Sequence, residues 1–119
     1  MNKNPHRIER LQHLFQTEIS RIIERDLKDP RVKMLSITRV IISRDLSLAR
    51  VYFSTFQEST AEKCLEGFNS GSGFIHRLLL KRLILKHIPE LKFYIDTSIK
   101  YARYMEDKLK KIVEGSEND

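Results

Sequence analysis

The sequence has one cysteine, Cys64, and no apolar run long enough to cross a membrane. A single cysteine excludes an internal disulfide and a cysteine-based zinc site, which needs several thiolates. A membrane-spanning helix needs about 20 consecutive apolar residues, and the first residues of the chain show no apolar signal region. We therefore expect a cytoplasmic protein in a reducing compartment, with no segment inside a membrane.

Motifs for catalysis and for cofactors are also missing. No Gly-x-Ser-x-Gly elbow follows a strand pattern, and Gly71-Ser72-Gly73 lacks the third glycine and the preceding strand of a dinucleotide fingerprint. The four histidines have no carboxylates at metal-ligand spacing on the same helical face, so we expect no metal site. Carboxylates such as Asp29 and Asp45 stand beside predicted turns, where turn hydrogen bonds account for them. The sequence therefore predicts a protein that is not an enzyme and uses no cofactor or small-molecule substrate.

Positive charge is the main feature that the composition does show. The chain has 22 Lys and Arg residues against 16 Asp and Glu residues, a net charge of +6. Three of the acids, Glu114, Glu117 and Asp119, lie at the C-terminal end, so the rest of the chain is more basic still. Such a field attracts polyanions, which makes nucleic acid or an anionic membrane surface the expected partner class. A basic protein with no anionic partner stays an alternative.

Hydrophobic periodicity predicts one domain at residues 1–113 and an acidic flexible tail at 114–119. A first helix runs from Pro5 to the break at Asp29-Pro30-Arg31. Strands follow at 35–43 and 48–55, joined by a tight hairpin, and a third strand at 91–95. Helices are predicted at 61–68, 74–87 and 99–113, with Pro89 ending the second of them. This order indicates a sheet covered on one face by helices, with an antiparallel first pair.

The segment Ser70-Gly71-Ser72-Gly73 is predicted to bend the chain between two helices. Two glycines would each cost a continuous helix about 1 kcal/mol relative to alanine. A helix that starts after the bend would direct free N–H groups toward an anion. Arg77 and Lys81 would share one face of that helix. A helix corner without any ligand is the alternative.

Basic residues on several elements, together with the segment Gly71-Ser72-Gly73, form the predicted RNA-contacting set. On the first helix the alternative is a solvated stripe with internal pairs such as Glu18 with Arg21. A partly buried, hydrogen-bonded role is the alternative for His76. The predicted set is Arg10, Arg21, Arg39, Arg44, Gly71, Ser72, Gly73, His76, Arg77 and Lys81.

Several motifs resemble one family, in order and over most of residues 5–112. They are Asp29-Pro30-Arg31, Ser36-Ile37-Thr38-Arg39-Val40, Ser43-x-Asp45-Leu46-Ser47 and Pro89-Glu90-Leu91-Lys92-Phe93. With them the chain resembles the ribosome-binding factor A family. The resemblance implies an α+β type II K-homology domain with a three-stranded sheet, a helix-kink-helix in place of the Gly-x-x-Gly loop, and a C-terminal helix. The kink is usually Ala-x-Gly, so Gly71 stands where alanine is usual and should loosen the corner, and His76 stands where arginine is frequent.

The resemblance also implies a function. Such a protein is a bacterial ribosome biogenesis factor that binds the free small (30S) subunit and its rRNA. It assists late maturation of the 16S rRNA, including its 5′ end region, and supports growth in the cold. We expect a cytoplasmic monomer with no membrane partner. The alternatives are a general single-stranded RNA-binding module and a small RNA-processing enzyme that depends on Asp96 or His76.

Overall fold

A computed structural model describes residues 6–98, which form two α-helices, three β-strands and one short 3₁₀ turn. The predicted helix at 99–113 and the acidic tail at 114–119 lie outside the described residues. Within residues 6–98, no helix has both the length and the apolar character that crossing a membrane requires. In chain order the elements are α1 (Arg7–Arg25), β1 (Leu35–Ile42), β2 (Leu48–Thr55), the 3₁₀ turn (Glu58–Thr60), α2 (Ala61–Arg82) and β3 (Glu90–Ile95).

The three strands form one sheet in the order β1-β2-β3. Strand β1 pairs with β2 in antiparallel fashion, as a tight hairpin requires, and β2 pairs with β3 in parallel fashion across the α2 connection. Apolar side chains from both helices pack against every second residue of the strands, and together they form one core. This confirms the predicted α+β class and the sheet covered on one face by helices. The other face, here called the open face, carries Arg39, Ile41, Arg50, Tyr52, Lys92 and Tyr94.

A bulge in β1 decides which of its residues reach the core. Strict alternation would place Ile37 on the same face as Arg39, away from Val40. The pairing register with β2 instead shifts between Ile37 and Arg39, so Thr38 is an extra residue. As a result Ile37 and Val40 are both buried while Arg39 is exposed. The bulge thus adds Ile37 to the core without turning Arg39 inward.

Three phenylalanines join α2 to the sheet. The Phe68 ring stacks on Phe93 of β3 with centroids 4.5 Å apart, and it meets Phe53 of β2 edge-on at 4.9 Å. Beside α2, on the same face of the sheet but over β1, α1 buries Phe15 and Ile19 at the helical spacing that its sequence predicts. Burying each such side chain contributes about 1.5–3 kcal/mol.

Two glutamines on α1 cover the outer edge of β1. The Gln12 Oε1 atom accepts a hydrogen bond from the Ile42 N–H at 3.0 Å. The Gln16 Nε2 atom donates to the Ile37 carbonyl at 3.0 Å. An edge strand presents unpaired backbone groups, and these two hydrogen bonds satisfy part of that edge while fixing α1 along β1.

The Asp29-Pro30-Arg31 segment forms a closed turn between α1 and β1. The Asp29 carboxylate accepts from the Arg31 N–H at 2.9 Å and from the Arg31 guanidinium at 3.0 and 2.7 Å. These bonds to Arg31 lower the pKa of Asp29 below its ordinary value. The thiol of Cys64 on α2 donates to the Arg31 carbonyl at 2.9 Å. The turn is therefore tied to α2.

The prediction that Ser70 to Gly73 separates two helices is wrong, because α2 continues through these residues as one helix of 22 residues. Two of the three glycines in α2, Gly67 and Gly71, serve close packing. A Cβ atom at Gly67 would lie 2.5 Å from Val32 Cγ2, and one at Gly71 would lie 3.0 Å from Leu27 Cδ1. Close packing against the segment after α1 offsets the helix-propensity cost of those two positions.

The end of α2 also differs from its predicted end near His87. The helix stops at Arg82, and Leu83 has extended dihedral angles of −102° and 139°. Leu83 and Ile88 are both buried, so the intervening chain must leave the helix axis and return Ile88 to the core before β3 begins. Pro89 therefore precedes the strand and does not end the helix.

Candidate nucleic-acid interface

Arg77 and Lys81 lie one turn apart on the outer side of α2, and both are exposed. We call this pair the α2 basic face. Arg77 extends along the helix, since its Nη1 atom is 3.6 Å from the place of a Cβ at Gly73. Because α2 is continuous here, the N–H groups near Gly73 belong to helical hydrogen bonds. The predicted anion site at a free helix N-terminus is therefore wrong, whereas the two cations stay available to a polyanion.

A cleft of about 450 Å³ lies between α2 and the start of β3. Ser72, Gly73 and His76 line it on the helix side. The His76 Nε2 atom donates to the Ile88 carbonyl at 3.1 Å, because a carbonyl can only accept. His76 is half-buried and holds the segment after α2 against the helix. The structure thus assigns His76 the structural role given as the alternative, and it brings all three residues to one cleft.

The hairpin turn between β1 and β2 holds Arg44 in an exposed position. The Asp45 carboxylate accepts from the Ser47 hydroxyl at 2.7 Å, the Ser43 hydroxyl at 2.8 Å and the Ser47 N–H at 3.1 Å. These bonds, those from Ser47 first, lower the pKa of Asp45. Leu46 has a φ of 61°, a strained angle for a residue with a side chain, and packs against the core. A rigid turn therefore presents Arg44.

Arg10 lies at the same end of the molecule. It lines a second cavity, of about 350 Å³, whose other walls include Leu46 and His87. His87 also lines the cleft beside α2, and so does Ser47 of the hairpin turn. The structure therefore brings Arg10, the hairpin turn and the cleft together at one end.

Arg21 stands apart from this end. It lies eleven residues beyond Arg10 on α1, a distance of about 16 Å along a helix. Its Nη1 atom contacts Glu18 Oε1 at 2.9 Å. This is the internal pair given as the alternative for this helix face, so Arg21 is the weakest member of the predicted set.

Arg39 occupies a different surface, the open face of the sheet. Its guanidinium carbon lies 4.2 Å from the centroid of the Tyr52 ring, which is a cation–π contact. Tyr52 in turn stacks on Tyr94 of β3, with centroids 5.4 Å apart and an interplanar angle of 27°. Direct strand pairing places these three residues in one row across the sheet. The predicted set lacks the two tyrosines, although aromatic residues at outward-facing strand positions are a signal for them.

Asp96 holds Arg39 in place from the end of β3. Its Oδ2 atom accepts from the Thr38 hydroxyl at 2.5 Å and lies 3.8 Å from Arg39 Nε. Its Oδ1 atom accepts from the Ser98 N–H at 2.9 Å and the Ser98 hydroxyl at 2.6 Å. Burial alone would raise the pKa of Asp96, but the bonds from Ser98 and Thr38 and the charge of Arg39 outweigh it and lower the pKa. Asp96 therefore stays ionised and has a structural role.

Metal ligands are not grouped in the described part of the chain. Among residues 6–98, no three His, Cys, Asp or Glu side chains lie close enough together to hold a metal ion. The geometry of these residues therefore offers cations, stacked rings and a cleft.

Comparison with known proteins assigns the family. A sequence model of the ribosome-binding factor A family matches residues 7–109. The ribosome-binding factor A of Clostridium beijerinckii is 37% identical over 111 residues, which cover 91% of this chain and 94% of that protein. That of Acetivibrio thermocellus is 43% identical over 101 residues, covering 83% and 82%. This chain belongs to the ribosome-binding factor A family.

Solved structures of ribosome-binding factor A support the same assignment. The Thermus thermophilus crystal structure has a TM-score of 0.68 and 25% identity, covering 74% of this chain and 93% of that one. The Thermotoga maritima solution structure has a TM-score of 0.60 and 28% identity, covering 78% and 91%. A homology model of the T. thermophilus protein, with a TM-score of 0.63 to this chain and 25% identity, was fitted into a cryo-EM map of a 30S complex. These matches confirm the K-homology-like fold.

Within the ribosome-binding factor A pattern, Gly71 replaces the alanine that the resemblance implies. An alanine Cβ there would lie 3.0 Å from Leu27 Cδ1, closer than nine in ten Cβ contacts in proteins, so Leu27 would have to shift. Glycine at this position therefore accommodates Leu27 on the packed side of α2. The expectation that this glycine loosens a corner between helices is wrong, because the helix is continuous.

Proposed function

We propose that this protein is a non-catalytic ribosome biogenesis factor that binds the free 30S subunit and assists late maturation of the 16S rRNA. The proposal includes the 5′ end region of that rRNA. The protein acts as a monomer in the cytoplasm, where the small subunit is assembled, and supports growth in the cold. It needs no cofactor.

One observation carries the proposal. The chain belongs to the ribosome-binding factor A family, and the T. thermophilus member was fitted into a map of a 30S complex. The charge of this chain agrees with such a partner, since a net charge of +6 favours association with a polyanion.

The RNA contact is proposed at the end of the molecule that holds the cleft. Arg10, Arg44 and the α2 basic face bring four cations to that end and to the adjoining side of α2. Ser72 and Gly73 have a small side chain and none, so that an RNA backbone can approach the surface of α2 closely near these cations. Arg39 belongs to the open face, and Arg21 is a peripheral member.

Charge reversal of the α2 basic face tests this surface. The double variant Arg77→Glu with Lys81→Glu should weaken co-sedimentation with free small subunits. The slope of log affinity against log salt should flatten by about 0.7–0.9 for each phosphate that the variant no longer binds. Filter binding at several salt concentrations measures both quantities. The outward position of both side chains predicts an unchanged circular dichroism spectrum.

Lys33→Glu with Lys63→Glu is the matched control. Both lysines are exposed, they line a different cavity, and their reversal changes the net charge equally. Equal losses in the two double variants would show a general charge effect and would contradict the proposed surface. Equal affinity of the wild type for any RNA would instead indicate a general RNA-binding module. Cleavage of precursor rRNA by the pure protein would contradict the non-catalytic role.

A further inference from the structure

The open face displays an aromatic and cationic surface that the fold itself does not need. The helices pack on the opposite face, where they bury Phe53 and Phe93. On the open face, Tyr94 keeps 38% of its surface exposed, and the Arg39 side chain keeps 53%. Exposed strand positions are more commonly filled by polar residues, so a run of rings and cations indicates a ligand.

The stack on this face has a free end. Arg39 lies over one side of the Tyr52 ring, and Tyr94 stacks on Tyr52 from the neighbouring strand. Tyr52 is therefore covered on both sides. In the described part of the chain β3 is an edge strand, so the side of Tyr94 that faces away from Tyr52 is the next stacking position. A planar group bound there would extend an existing row of three.

Cations border the stack. Arg50 pairs directly with Lys92 across β2 and β3, one row from the Tyr52–Tyr94 row, and both are exposed. Lys92 lies two residues from Tyr94 on the same face, about 6.6 Å along a strand. Of the acids on this face, Glu90 lies two residues before Lys92, on the side away from Tyr94, and Asp96 is already paired with Arg39. A negatively charged group attached to a ring stacked on Tyr94 would therefore meet Lys92 and Arg50.

We propose that the open face binds single-stranded RNA by stacking an unpaired base on Tyr94, with the adjoining phosphates held by Lys92 and Arg50. The inference rests on the proposed function, because it supplies that RNA-binding protein with a second RNA contact. Stacking uses the π-face that all bases share, so the site selects unpaired strands and no particular sequence. Asp96 and Arg39 are positioning residues: Asp96 holds Arg39, and Arg39 covers the side of Tyr52 opposite Tyr94, which is the closed end of the row.

RNA fits this surface better than a protein partner does. The core of a protein interface is depleted of charged residues, whereas three of the six residues named for this face are Arg39, Arg50 and Lys92. A ring next to two cations is instead the combination that single-stranded nucleic acid needs. An RNA duplex would be a poor ligand, because its bases are already stacked on one another.

Three variants test the proposal through affinity for a short single-stranded oligoadenylate. Tyr94→Ala should weaken binding by about 5- to 150-fold, the range that loss of one stacked base implies. Tyr94→Trp should bind within about twofold of the wild type, because any aromatic ring provides the platform. Phe56→Ala is the matched control, since Phe56 is 65% exposed but lies on another surface, and its affinity should not change.

The tryptophan variant also reports the stacking directly. The chain contains no tryptophan, so the new residue is its one indole, which can be excited selectively at wavelengths that tyrosine does not absorb. In the free full-length protein, iodide should reach the tryptophan ring and quench its emission. Binding of oligoadenylate should quench the emission as well, because a base stacks on the ring. A blunt-ended RNA duplex, which has no unpaired bases, should leave the emission unchanged.

Four outcomes would overturn the inference. Tyr94→Ala could bind oligoadenylate as tightly as the wild type, or Phe56→Ala could lose as much affinity. Tyr94→Ala could lose affinity for subunits alone, which would indicate a ribosomal protein at this face. The fluorophore could be shielded from iodide before RNA is added and stay unchanged afterwards, which would indicate that the chain covers its own open face.

The same experiments separate this inference from the proposed function. Loss of subunit binding in the α2 basic-face variant, with full binding in Tyr94→Ala, would leave the proposed function standing without the stacking site. If the wild type does not bind free small subunits but Tyr94→Ala still weakens oligoadenylate binding, the stacking site would stand and the proposed function would fail.

Discussion

Phe93 and Tyr94 are neighbours on β3, yet they belong to two different surfaces of the molecule. Phe93 is 6% exposed and stacks on Phe68 at 4.5 Å within the core. Tyr94 is 38% exposed and stacks on Tyr52 at 5.4 Å on the open face. Each residue thus belongs to a stacked aromatic pair. The first joins a helix to the sheet, whereas the second joins only two strands that backbone hydrogen bonds already hold.

This difference separates stability from recognition. Removing an aromatic ring from the covered face leaves a cavity that the surrounding structure cannot fill. Removing a ring from the open face leaves space that water fills at little cost. An aromatic pair on the open face therefore has little to do with folding, which makes it available for a ligand.

The largest expected effect comes from exchanging the two neighbours for alanine one at a time. Phe93→Ala should lower the free energy of unfolding by about 3–5 kcal/mol, because it removes a buried ring and its stacking on Phe68. Tyr94→Ala should lower it by no more than about 1 kcal/mol, the value of a cross-strand pair. Urea unfolding followed by circular dichroism measures both. Similar losses in the two variants would show that the open-face stack supports the fold, and the comparison would fail.

The sequence predicted the strands well because alternation along a strand is a local property. In β2, Val51 and Phe53 alternate with Arg50 and Tyr52, and the structure places them on the two predicted faces. The bulge in β1 could not be predicted, since it depends on how β2 pairs with it. The extra residue at Thr38 has no local sequence signal.

The predicted interruption of α2 rests on composition alone, and tertiary packing overrides it. A glycine in a helix can mean either a bend or a close neighbour, and only the position of Val32 and Leu27 distinguishes the two.

The prediction of the candidate site was limited in a similar way. Arg10, Arg44 and His76 were predicted from exposed or helix-face positions, but their approach to one end follows from the topology. The row from Arg39 to Tyr94 could be predicted only if the pairing register of the three strands were known.

A second pair of variants applies the comparison to the two sides of α2. Gly67→Ala should lower the free energy of unfolding by about 1–3 kcal/mol, because the new methyl group would collide with Val32 and overpack this part of the core. Gly73→Ala should raise it by about 0.5–1 kcal/mol, because alanine favours a helix and meets only Arg77 at 3.6 Å. The same urea titration measures both changes. Destabilisation by Gly73→Ala would show that the helix needs a bend at that position.

Asp96 is a buried carboxylate that serves the open face, and its replacement should have a smaller effect than Phe93→Ala or Gly67→Ala. Asp96→Asn should lower the free energy of unfolding by about 1 kcal/mol at pH 7, because the amide oxygen accepts more weakly than a carboxylate oxygen and the amide nitrogen can only donate to the Thr38 hydroxyl, from which Asp96 accepts. The native state lowers the pKa of Asp96 below its ordinary value of 3.8, so its ionised form stabilises the fold above that pH.

This stabilisation should disappear as the pH falls below 3.8 through the lowered pKa of Asp96. The difference between the wild type and Asp96→Asn should therefore stay constant from pH 7 to about pH 5 and shrink at more acid pH. Urea unfolding at pH 7, 5, 4 and 3 measures the difference. Asp29 and Asp45 titrate equally in both proteins, so their contributions cancel. A difference that is independent of pH would mean that Asp96 acts through its shape and not through its charge. Arg39 would then be held over Tyr52 by the ring alone, and the closed end of the open-face row would not depend on Asp96.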